Sequence, residues 1–214
     1  MTINKPYWFL QKEIGPMQNY IYFLGDPSTR KAAVIDPAWD QIEIQRTLDE
    51  AGYELECMLI THGHPDHINL VETFAHQNNA KIYMHKDEVP WVRGWKETAI
   101  ATQDQSEVQI GSLTVKCMHT PGHTEGSQCF LFDQNIVTGD TLFIDGCGRT
   151  DLPGGNSKKL YESLSQKIKN LPDTMIMYPG HNYAAHKHID LGSQKQTNPY
   201  LRALTISDFI SMRG

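Results

Sequence analysis

Cysteine is scarce in this sequence, and its spacing excludes two classes of small protein. The four cysteines, Cys57, Cys117, Cys129 and Cys147, lie far apart and form no C-x-x-C pair. A zinc ribbon and a disulfide-rich scaffold both require closely spaced cysteines. We therefore expect free, mostly buried thiols and a cytoplasmic location, where thiols stay reduced.

Long apolar runs and basic patches are absent as well. No run approaches the ~18 consecutive apolar residues of a membrane helix, and the N-terminus lacks the apolar region and cleavage site of a signal peptide. The 19 lysines and arginines are outnumbered by 25 acidic residues, and no basic stripe indicates nucleic-acid binding. We expect neither a membrane nor a nucleic acid as partner, and the sequence leaves the oligomeric state open.

Short apolar runs bounded by turn residues are present throughout the chain, and they predict β-strands. These runs cover residues 20–24, 32–35, 57–60, 81–84, 113–118, 129–132, 136–138 and 175–178. Helical periodicity predicts helices at residues 40–51, 67–77, 157–171 and 202–212. The order hairpin, helix, strand and histidine-containing loop describes both residues 20–64 and residues 129–181. We therefore expect one domain, residues 1–214, with two related halves.

Histidine is the residue type in excess, with ten copies against 19 lysines and arginines. Four side chains able to bind a metal, His62, His64, Asp66 and His67, fall within six residues directly after the predicted strand 57–60. His62 and His64 can project to the same side of an extended segment, while Asp66 and His67 begin the next helix. Because zinc is bound by imidazole and carboxylate ligands, this segment predicts a metal site.

Three further candidates each follow a predicted strand. They are His123 in H-T-P-G-H-T, Asp140 in T-G-D-T and His181 in Y-P-G-H-N. Each alone is typical of a turn, but together they bring the candidate ligands to seven, enough for two metals if Asp140 bridges. A bridged metal pair can hold a hydroxide and polarise a carbonyl or phosphoryl oxygen. No role is predicted for the other histidines, His76, His85, His119, His186 and His188.

The motifs T-H-x-H-x-D-H, P-G-H-T, G-D-T and P-G-H resemble those of the metallo-β-lactamase superfamily over nearly the whole chain. Within it, the sequence is most similar to glyoxalase II-like (hydroxyacylglutathione hydrolase-like) thioester hydrolases. Segments 15–20, 35–37 and 197–202 are similar to the opening strands and the T-N-P-[FY]-L-R closing signature of that group. The resemblance implies an α+β fold, a four-layer αββα sandwich with the site at one edge.

The resemblance also implies the roles of the site residues. One metal is held by His62, His64 and His123, a second by Asp66, His67 and His181, and Asp140 bridges them. Two Zn²⁺ ions are expected, and Fe²⁺ is compatible with the same ligand types. A metal-bridging hydroxide attacks a thioester carbonyl and a thiolate leaves. Asp140 and Asp66 are the expected catalytic residues, with Asp66 orienting the nucleophile or handling its proton.

The expected substrate is a small-molecule or carrier-protein-bound thioester. Glyoxalase II enzymes bind glutathione partly through a basic C-terminal extension, whereas this chain ends twelve residues after Arg202. Segment 152–156 resembles hydrolases of the glyoxalase II-like branch, some of which are encoded with bacterial polyketide synthases. An acyl group on the phosphopantetheine of an acyl carrier protein is therefore expected as an alternative to acyl-glutathione. Tyr183 is a candidate for lining the substrate groove.

Residues 146–151, G-C-G-R-T-D, resemble a loop of persulfide dioxygenases, which share this fold and use one Fe(II) ion. That resemblance implies iron held by His62, His123 and Asp140, with Arg149 binding the substrate carboxylate. The alternative for Arg149 is a structural ion pair with Asp151. A lactonase or phosphodiesterase of the same fold remains open. So does a non-catalytic metal-binding module, which would be expected to lose ligands, whereas all seven are present.

Overall fold

The structure, a computed structural model, describes residues 6–92, 94–95 and 98–212, and the strands in these ranges form two six-stranded sheets and a short ribbon. The first sheet contains, in spatial order, β1 (Trp8–Ile14), β2 (Asn19–Asp26), β3 (Lys31–Ile35), β4 (Glu54–Ile60), β5 (Lys81–His85) and β6 (Ala99–Thr102). Strands β1 to β3 are antiparallel, and β3 to β6 are parallel. The parallel strands therefore end at the same edge of the sheet.

The second sheet is built from the later part of the chain. It begins with β7 (Glu107–Ile110), β8 (Leu113–His119), β9 (Gln128–Phe132) and β10 (Asn135–Gly139). The ribbon of β11 (Leu142–Phe143) and β12 (Gly146–Cys147) follows, and then β13 (Ile176–Pro179) and β14 (Ile189–Asp190). The spatial order is β14-β13-β10-β9-β8-β7, and β10 and β13 pair in parallel, so both end at the same edge.

The helices lie between these strands in the chain. They are α1 (Gln41–Ala51), α2 (Pro65–Ile68), α3 (Val71–Asn78), α4 (Ser157–Glu162), α5 (Leu191–Thr197), α6 (Pro199–Arg202) and α7 (Ile206–Ser211). Helix α4 continues through a π-helical segment, Ser163–Lys167, and a 3-10 turn, Ile168–Asn170. Helix α1 begins where the Asp40 side chain accepts a hydrogen bond from the N–H of Glu43, and it ends at left-handed Gly52, as its sequence predicts.

Alternating residues of the strands build three apolar cores. Ile21 and Phe23 of β2 pack with Leu48 of α1 on the outer face of the first sheet. Tyr22, on the opposite face of the same strand, packs with Phe130 between the two sheets. A third core lies between the second sheet and the helices α4 to α7. Three cores separate four layers, which confirms the predicted αββα sandwich.

The two predicted halves share one topology. Strands β2 and β3 form a hairpin, α1 follows, and β4 returns parallel to β3. Strands β9 and β10 form a hairpin, α4 follows, and β13 returns parallel to β10. His62 follows β4 and His181 follows β13, so the repeat places two histidine loops at corresponding positions.

Two helices that the sequence predicts as continuous are each interrupted in the structure. The helix predicted at residues 67–77 is broken between α2 and α3, because the Asn69 side chain accepts a hydrogen bond from the N–H of Trp39 and the N–H of Leu70 donates to Pro37. The helix predicted at 202–212 is interrupted after α6, and α7 restarts with its own capping box at Thr205 and Asp208.

The helix predicted at residues 157–171 begins at Ser157, but its N-cap is Asn156 rather than the predicted Ser157, because the Asn156 side chain accepts a hydrogen bond from the N–H of Lys159. The eight predicted strands are confirmed within a few residues at their ends. In the part of the chain that the structure describes, no helix is long and apolar enough to cross a membrane.

Candidate metal centre

The seven predicted ligands converge at one edge of the sandwich, each from the segment that directly follows a strand. His62 and His64 follow β4, His123 follows β8, Asp140 follows β10 and His181 follows β13. Asp66 and His67 lie in the short helix α2, whose first residue is proline. Strand ends of both sheets therefore place side chains that are up to 119 residues apart, His62 and His181, around one centre.

The first group of donors consists of His62, His64 and His123. The Nδ1 atom of His64 lies 3.1 Å from Nε2 of His62 and 2.9 Å from Nε2 of His123. His62 and His123 are buried, and His64 is half-buried. Donor separations near 3 Å are close to those around a metal whose bonds to imidazole are ~2.0–2.1 Å long. This group could hold one metal ion.

The second group consists of Asp66, His67 and His181. The Nε2 atoms of His67 and His181 lie 3.2 Å apart. Oδ2 of Asp66 lies 3.4 Å from Nε2 of His67 and 3.5 Å from Nε2 of His181. The two imidazoles are buried and the carboxylate is half-buried, so this group could hold a second ion.

Asp140 lies between the two groups. Its Oδ2 atom is 3.5 Å from Nε2 of His123 and 3.4 Å from Nε2 of His181, and its Oδ1 atom is 3.5 Å from Nε2 of His67. Oδ1 is buried and has no hydrogen-bond partner among the described residues. A buried carboxylate oxygen without a partner is costly in a protein interior, so the donor set fits a pair of cations.

Hydrogen bonds on the outer side of the centre fix the orientation of three imidazoles. Nδ1 of His123 bonds the carbonyl of Arg149 at 2.7 Å, and Nδ1 of His181 bonds the carbonyl of Met17 at 2.9 Å. Nδ1 of His67 lies 2.9 Å from Oδ2 of Asp36. Because each partner is an oxygen acceptor, Nδ1 carries the hydrogen and the Nε2 lone pair of the neutral ring faces the centre.

Sequence reasoning missed two supporting residues, Asp36 and Asn19. Besides His67, Asp36 accepts hydrogen bonds from the N–H and hydroxyl of Thr61, at 2.7 and 2.5 Å. The Asn19 amide donates to Oδ2 of Asp66 at 2.9 Å and accepts from the indole N–H of Trp39 at 2.8 Å. Both lie in segments that resemble the family, but no local pattern indicates which ligand each one contacts.

The electrostatics of the first group favour neutral imidazoles. Burial lowers the pKa of His62 well below its usual value, and the neighbouring His67 and His123 add to the effect. Burial also lowers the pKa of His64, to about 4, with a further contribution from His123. A neutral imidazole keeps the lone pair that a metal requires, so these rings are in their ligating form at neutral pH.

For Asp140 and for His67 of the second group, neighbouring charges and hydrogen bonds outweigh the effect of burial on the pKa. Burial acts to raise the pKa of Asp140, but the charge of His67 and a hydrogen bond from His181 outweigh it and lower that pKa. Burial acts to lower the pKa of His67, but the charge of Asp140 and the hydrogen bond to Asp36 raise it. A proton and a metal therefore compete for the same imidazole lone pairs in this group.

The two predicted substrate-binding residues lie at the margin of the centre. The Arg149 guanidinium forms a two-pronged ion pair with Asp151, at 2.8 and 2.6 Å, and its side chain is 61% exposed. Its backbone carbonyl, rather than its side chain, contacts a candidate ligand, His123. The Tyr183 ring stacks on His181 with centroids 4.7 Å apart and is 56% exposed. Contact of either side chain with substrate stays a prediction.

A pocket of about 190 Å³ opens beside His64. Its other lining residues are Gly63, Glu88, Thr124, Glu125, Pro153 and Gly154. The buried Glu88 carboxylate accepts hydrogen bonds from the N–H of Gly63 and the N–H of Gly126, both at 2.8 Å. Since one glycine lies between His62 and His64 and the other follows His123, Glu88 ties together the two loops that carry the first group.

Comparison with known proteins agrees with this geometry. Residues 14–181 match the metallo-beta-lactamase superfamily. The chain therefore belongs to this superfamily, which is a class of metal-dependent hydrolases. The match includes all seven candidate ligands.

Among curated proteins, the chain is 33% identical over 195 residues to the probable polyketide biosynthesis zinc-dependent hydrolase PksB of Bacillus subtilis (strain 168), covering 91% of this chain and 87% of that protein. It is 29% identical over 228 residues to a probable hydroxyacylglutathione hydrolase of Schizosaccharomyces pombe, covering 88% and 84%. The crystal structure of ETHE1 from Myxococcus xanthus superposes with a TM-score of 0.87 at 30% identity, covering 96% and 89%.

Proposed function

We propose that this chain is a thioester hydrolase that uses two divalent metal ions, most readily zinc. Ions bound at the two donor groups supply an activated water and stabilise the negative charge that develops on a carbonyl oxygen. The overall reaction adds water across the C–S bond of an acyl thioester and yields a carboxylic acid and a thiol. Two complete donor groups and the similarity to PksB, a probable zinc-dependent hydrolase, support this proposal.

The position of Asp140 carries the proposal. One carboxylate reaches toward His123 and His181 with Oδ2 and toward His67 with Oδ1. A residue that served a single ion would not need to face both groups. The buried, unpartnered Oδ1 atom supports a bridging role, because a second cation would satisfy it.

Asp66 is the residue best placed to handle a proton in the reaction. Its Oδ2 atom receives the Asn19 amide, which restricts the carboxylate to one orientation. Burial acts to raise the pKa of Asp66, but hydrogen bonding to His67 and Asn19 lowers it, so the group is ionised at neutral pH. An oriented, ionised carboxylate can hold the water in place and accept its proton.

An acyl group on phosphopantetheine is the proposed substrate, ahead of acyl-glutathione. The similarity to a probable polyketide biosynthesis hydrolase supports a carrier-bound acyl thioester. The pocket beside His64 has two glycines and a proline in its wall and suits a small acyl group. Glu88 and Glu125 also line it, so their negative charge disfavours an acyl group that carries a carboxylate of its own.

The decisive experiment is a paired assay on one sample of known metal content. We expect close to two zinc ions per chain by elemental analysis, and faster thiol release from acyl-pantetheine than from acyl-glutathione. The Asp140→Asn variant should lose turnover while retaining its fold by circular dichroism. Asp49→Asn, an exposed carboxylate on α1, is the matched control and should behave like the wild type. Undiminished turnover in Asp140→Asn would remove the basis of the proposal.

Persulfide oxidation is the second candidate, favoured by the similarity of segment 146–151 to a loop of persulfide dioxygenases. It requires one iron at His62, His123 and Asp140, and oxygen uptake with glutathione persulfide measures it on the same sample. One iron per chain, with oxygen uptake and no thiol release, would replace the hydrolase proposal. A lactone and a phosphodiester in the same substrate panel test the remaining activities of this fold.

A further inference from the structure

Trp39, in the loop between β3 and α1, has an unusual backbone conformation for a large residue. Its φ of +74° lies in the left-handed region, which a residue with a Cβ adopts only at a cost in free energy. The N–H of this half-buried residue donates to Oδ1 of Asn69 at 2.8 Å, at the end of α2. Because α2 carries Asp66 and His67, the strained backbone is tied directly to the helix that supplies two candidate ligands.

A glycine in a neighbouring turn makes room for the Trp39 indole. Gly15 lies between β1 and β2, and an added Cβ there would lie 2.3 Å from the Cγ and Cδ1 atoms of Trp39. A side chain at position 15 would therefore displace the ring. The indole is held against the backbone of this turn, while the backbone N–H of the same residue is held at α2.

The indole N–H determines which way the Asn19 amide points. The indole nitrogen of Trp39 lies 2.8 Å from Oδ1 of Asn19. Since an indole nitrogen donates and never accepts, the atom that faces it is the amide oxygen, and the amide nitrogen points away. That nitrogen donates to Oδ2 of Asp66 at 2.9 Å and to the backbone carbonyl of Asp66 at 3.1 Å. Trp39 thus makes Asn19 a hydrogen-bond donor toward a candidate ligand.

The burial of Asn19 makes this contact important. Asn19 has no exposed surface, so its amide oxygen depends on the protein for a donor, and the indole N–H is the donor placed on it. A buried oxygen that loses its donor is costly, which favours movement of the amide toward another partner. A half-turn of the amide would place its oxygen against Oδ2 of Asp66, where two acceptors repel each other. Either movement shifts the Asp66 carboxylate.

We propose that Trp39 is a positioning residue of the candidate metal centre. Its indole N–H fixes the Asn19 amide, and the amide fixes the Asp66 carboxylate in the second donor group. This proposal rests on the proposed function, because it concerns a zinc ion bound at that group. The effect passes from the loop before α1 to β2 and from β2 to α2, so three segments that are distant in sequence act as one support.

Trp39→Phe tests the proposal, because phenylalanine keeps an aromatic ring on the same backbone and lacks the N–H. We expect binding of one zinc ion to weaken by about tenfold, the lower end of the range for groups that support metal ligands, and binding of the other to be unchanged. Competition with a chelator measures both. Trp8→Phe is the matched control, since Trp8 is also half-buried but stacks on Tyr53 at the far end of β1. This control should retain both affinities.

A double-mutant cycle separates positioning from a general loss of packing. Asn19→Ala should weaken binding of the same zinc ion. Adding Trp39→Phe to Asn19→Ala should cause little further loss of affinity, because both substitutions interrupt one chain of contacts. Full zinc affinity in Trp39→Phe, or losses that add up in the double variant, would overturn the proposal.

Hydrogen exchange of the zinc-free protein distinguishes this proposal from the proposed function. In the chelated wild type, its hydrogen bond should protect the Trp39 indole N–H, whose signal is assigned with Trp39→Phe. We expect Asn19→Ala to accelerate exchange of this N–H by at least about tenfold, and equal exchange would contradict the support of Asn19 by Trp39. A wild type that binds no second zinc ion but shows this acceleration would refute the proposed function and leave the support of Asp66 by Trp39 standing.

Discussion

Gly180 and Asp140 are in such close contact that an added Cβ on Gly180 would lie 2.3 Å from Oδ1 of Asp140. The backbone of Gly180 has little freedom to move away, because its N–H donates to Gly139 at 2.9 Å and its carbonyl accepts from Tyr20 at 2.8 Å. We therefore predict that Gly180→Ala displaces the Asp140 carboxylate and lowers both zinc content and turnover, by at least about tenfold.

Gly146→Ala is the control for this substitution. An added Cβ there would meet the Cβ of Phe143 at 3.6 Å, which is ordinary van der Waals contact. We expect elemental analysis to find the same zinc content in Gly146→Ala and in the wild type. Equal zinc content in Gly180→Ala would show that Asp140 has room to move and would contradict the prediction.

Asp36 supports the second donor group through its hydrogen bond to His67. Replacing it with asparagine removes the negative charge and leaves a poorer acceptor for Nδ1–H of His67. We predict that Asp36→Asn weakens binding of one of the two zinc ions by about 10–100-fold, since the hydrogen-bond partners of ligating histidines contribute that much to metal affinity. Competition with a chromophoric chelator would measure it.

The control for Asp36→Asn is Asp40→Asn at the start of α1. Asparagine caps a helix as well as aspartate does, so zinc affinity and stability should both be retained. If the two variants lose zinc affinity equally, the effect arises from the overall negative charge and not from the hydrogen bond to His67.

Glu88 is predicted to be important for the first donor group although it is not one of its ligands. Glutamine at this position presents one amide N–H₂ group to the N–H of either Gly63 or Gly126, which leaves a buried donor without an acceptor. We expect Glu88→Gln to lower the free energy of unfolding by about 1–3 kcal/mol and to weaken binding of the first zinc ion. Chemical denaturation of the zinc-loaded and the chelated protein separates the two effects.

Glu54→Gln tests whether the effect of Glu88→Gln is specific. Glu54 is exposed and pairs with Lys31 at the surface, where an ion pair contributes little to stability. Its replacement should leave both stability and zinc affinity close to the wild-type values. A Glu88→Gln variant with unchanged zinc affinity would restrict Glu88 to a purely structural role.

The cysteines provide a prediction that is independent of the metal centre. Burial raises the pKa of Cys57 and of Cys117 to about 12, and that of Cys129 to about 11. A raised pKa keeps these thiols protonated and unreactive at neutral pH. We expect a thiol reagent to modify about one cysteine per native chain, the half-buried Cys147, and four after unfolding. Labelling that persists in Cys147→Ser would refute this.

Much of the fold could be predicted because its strands are buried on both faces. Strand β2 is buried at every position, so it appears in the sequence as a continuous apolar run. Strand β7 alternates between exposed and buried residues over only four positions, and β6 is mostly exposed. Such short, half-polar strands resemble loops, and β6 and β7 were not predicted. These two segments become strands because β6 pairs with β5 and β7 pairs with β8.

The sequence by itself predicted the seven candidate ligands that the structure brings together. Histidines and aspartates placed directly after apolar strands predict seven donors, because a strand end delivers a loop to the edge of a sheet. The tertiary structure alone decided how those donors face one another and what holds them. Asp36, Asn19, Glu88 and the carbonyls of Met17 and Arg149 act across long sequence separations. Strand pairing within each sheet, together with packing of the two sheets against each other, brings these hydrogen-bonding partners within 3 Å of the ligands or their loops.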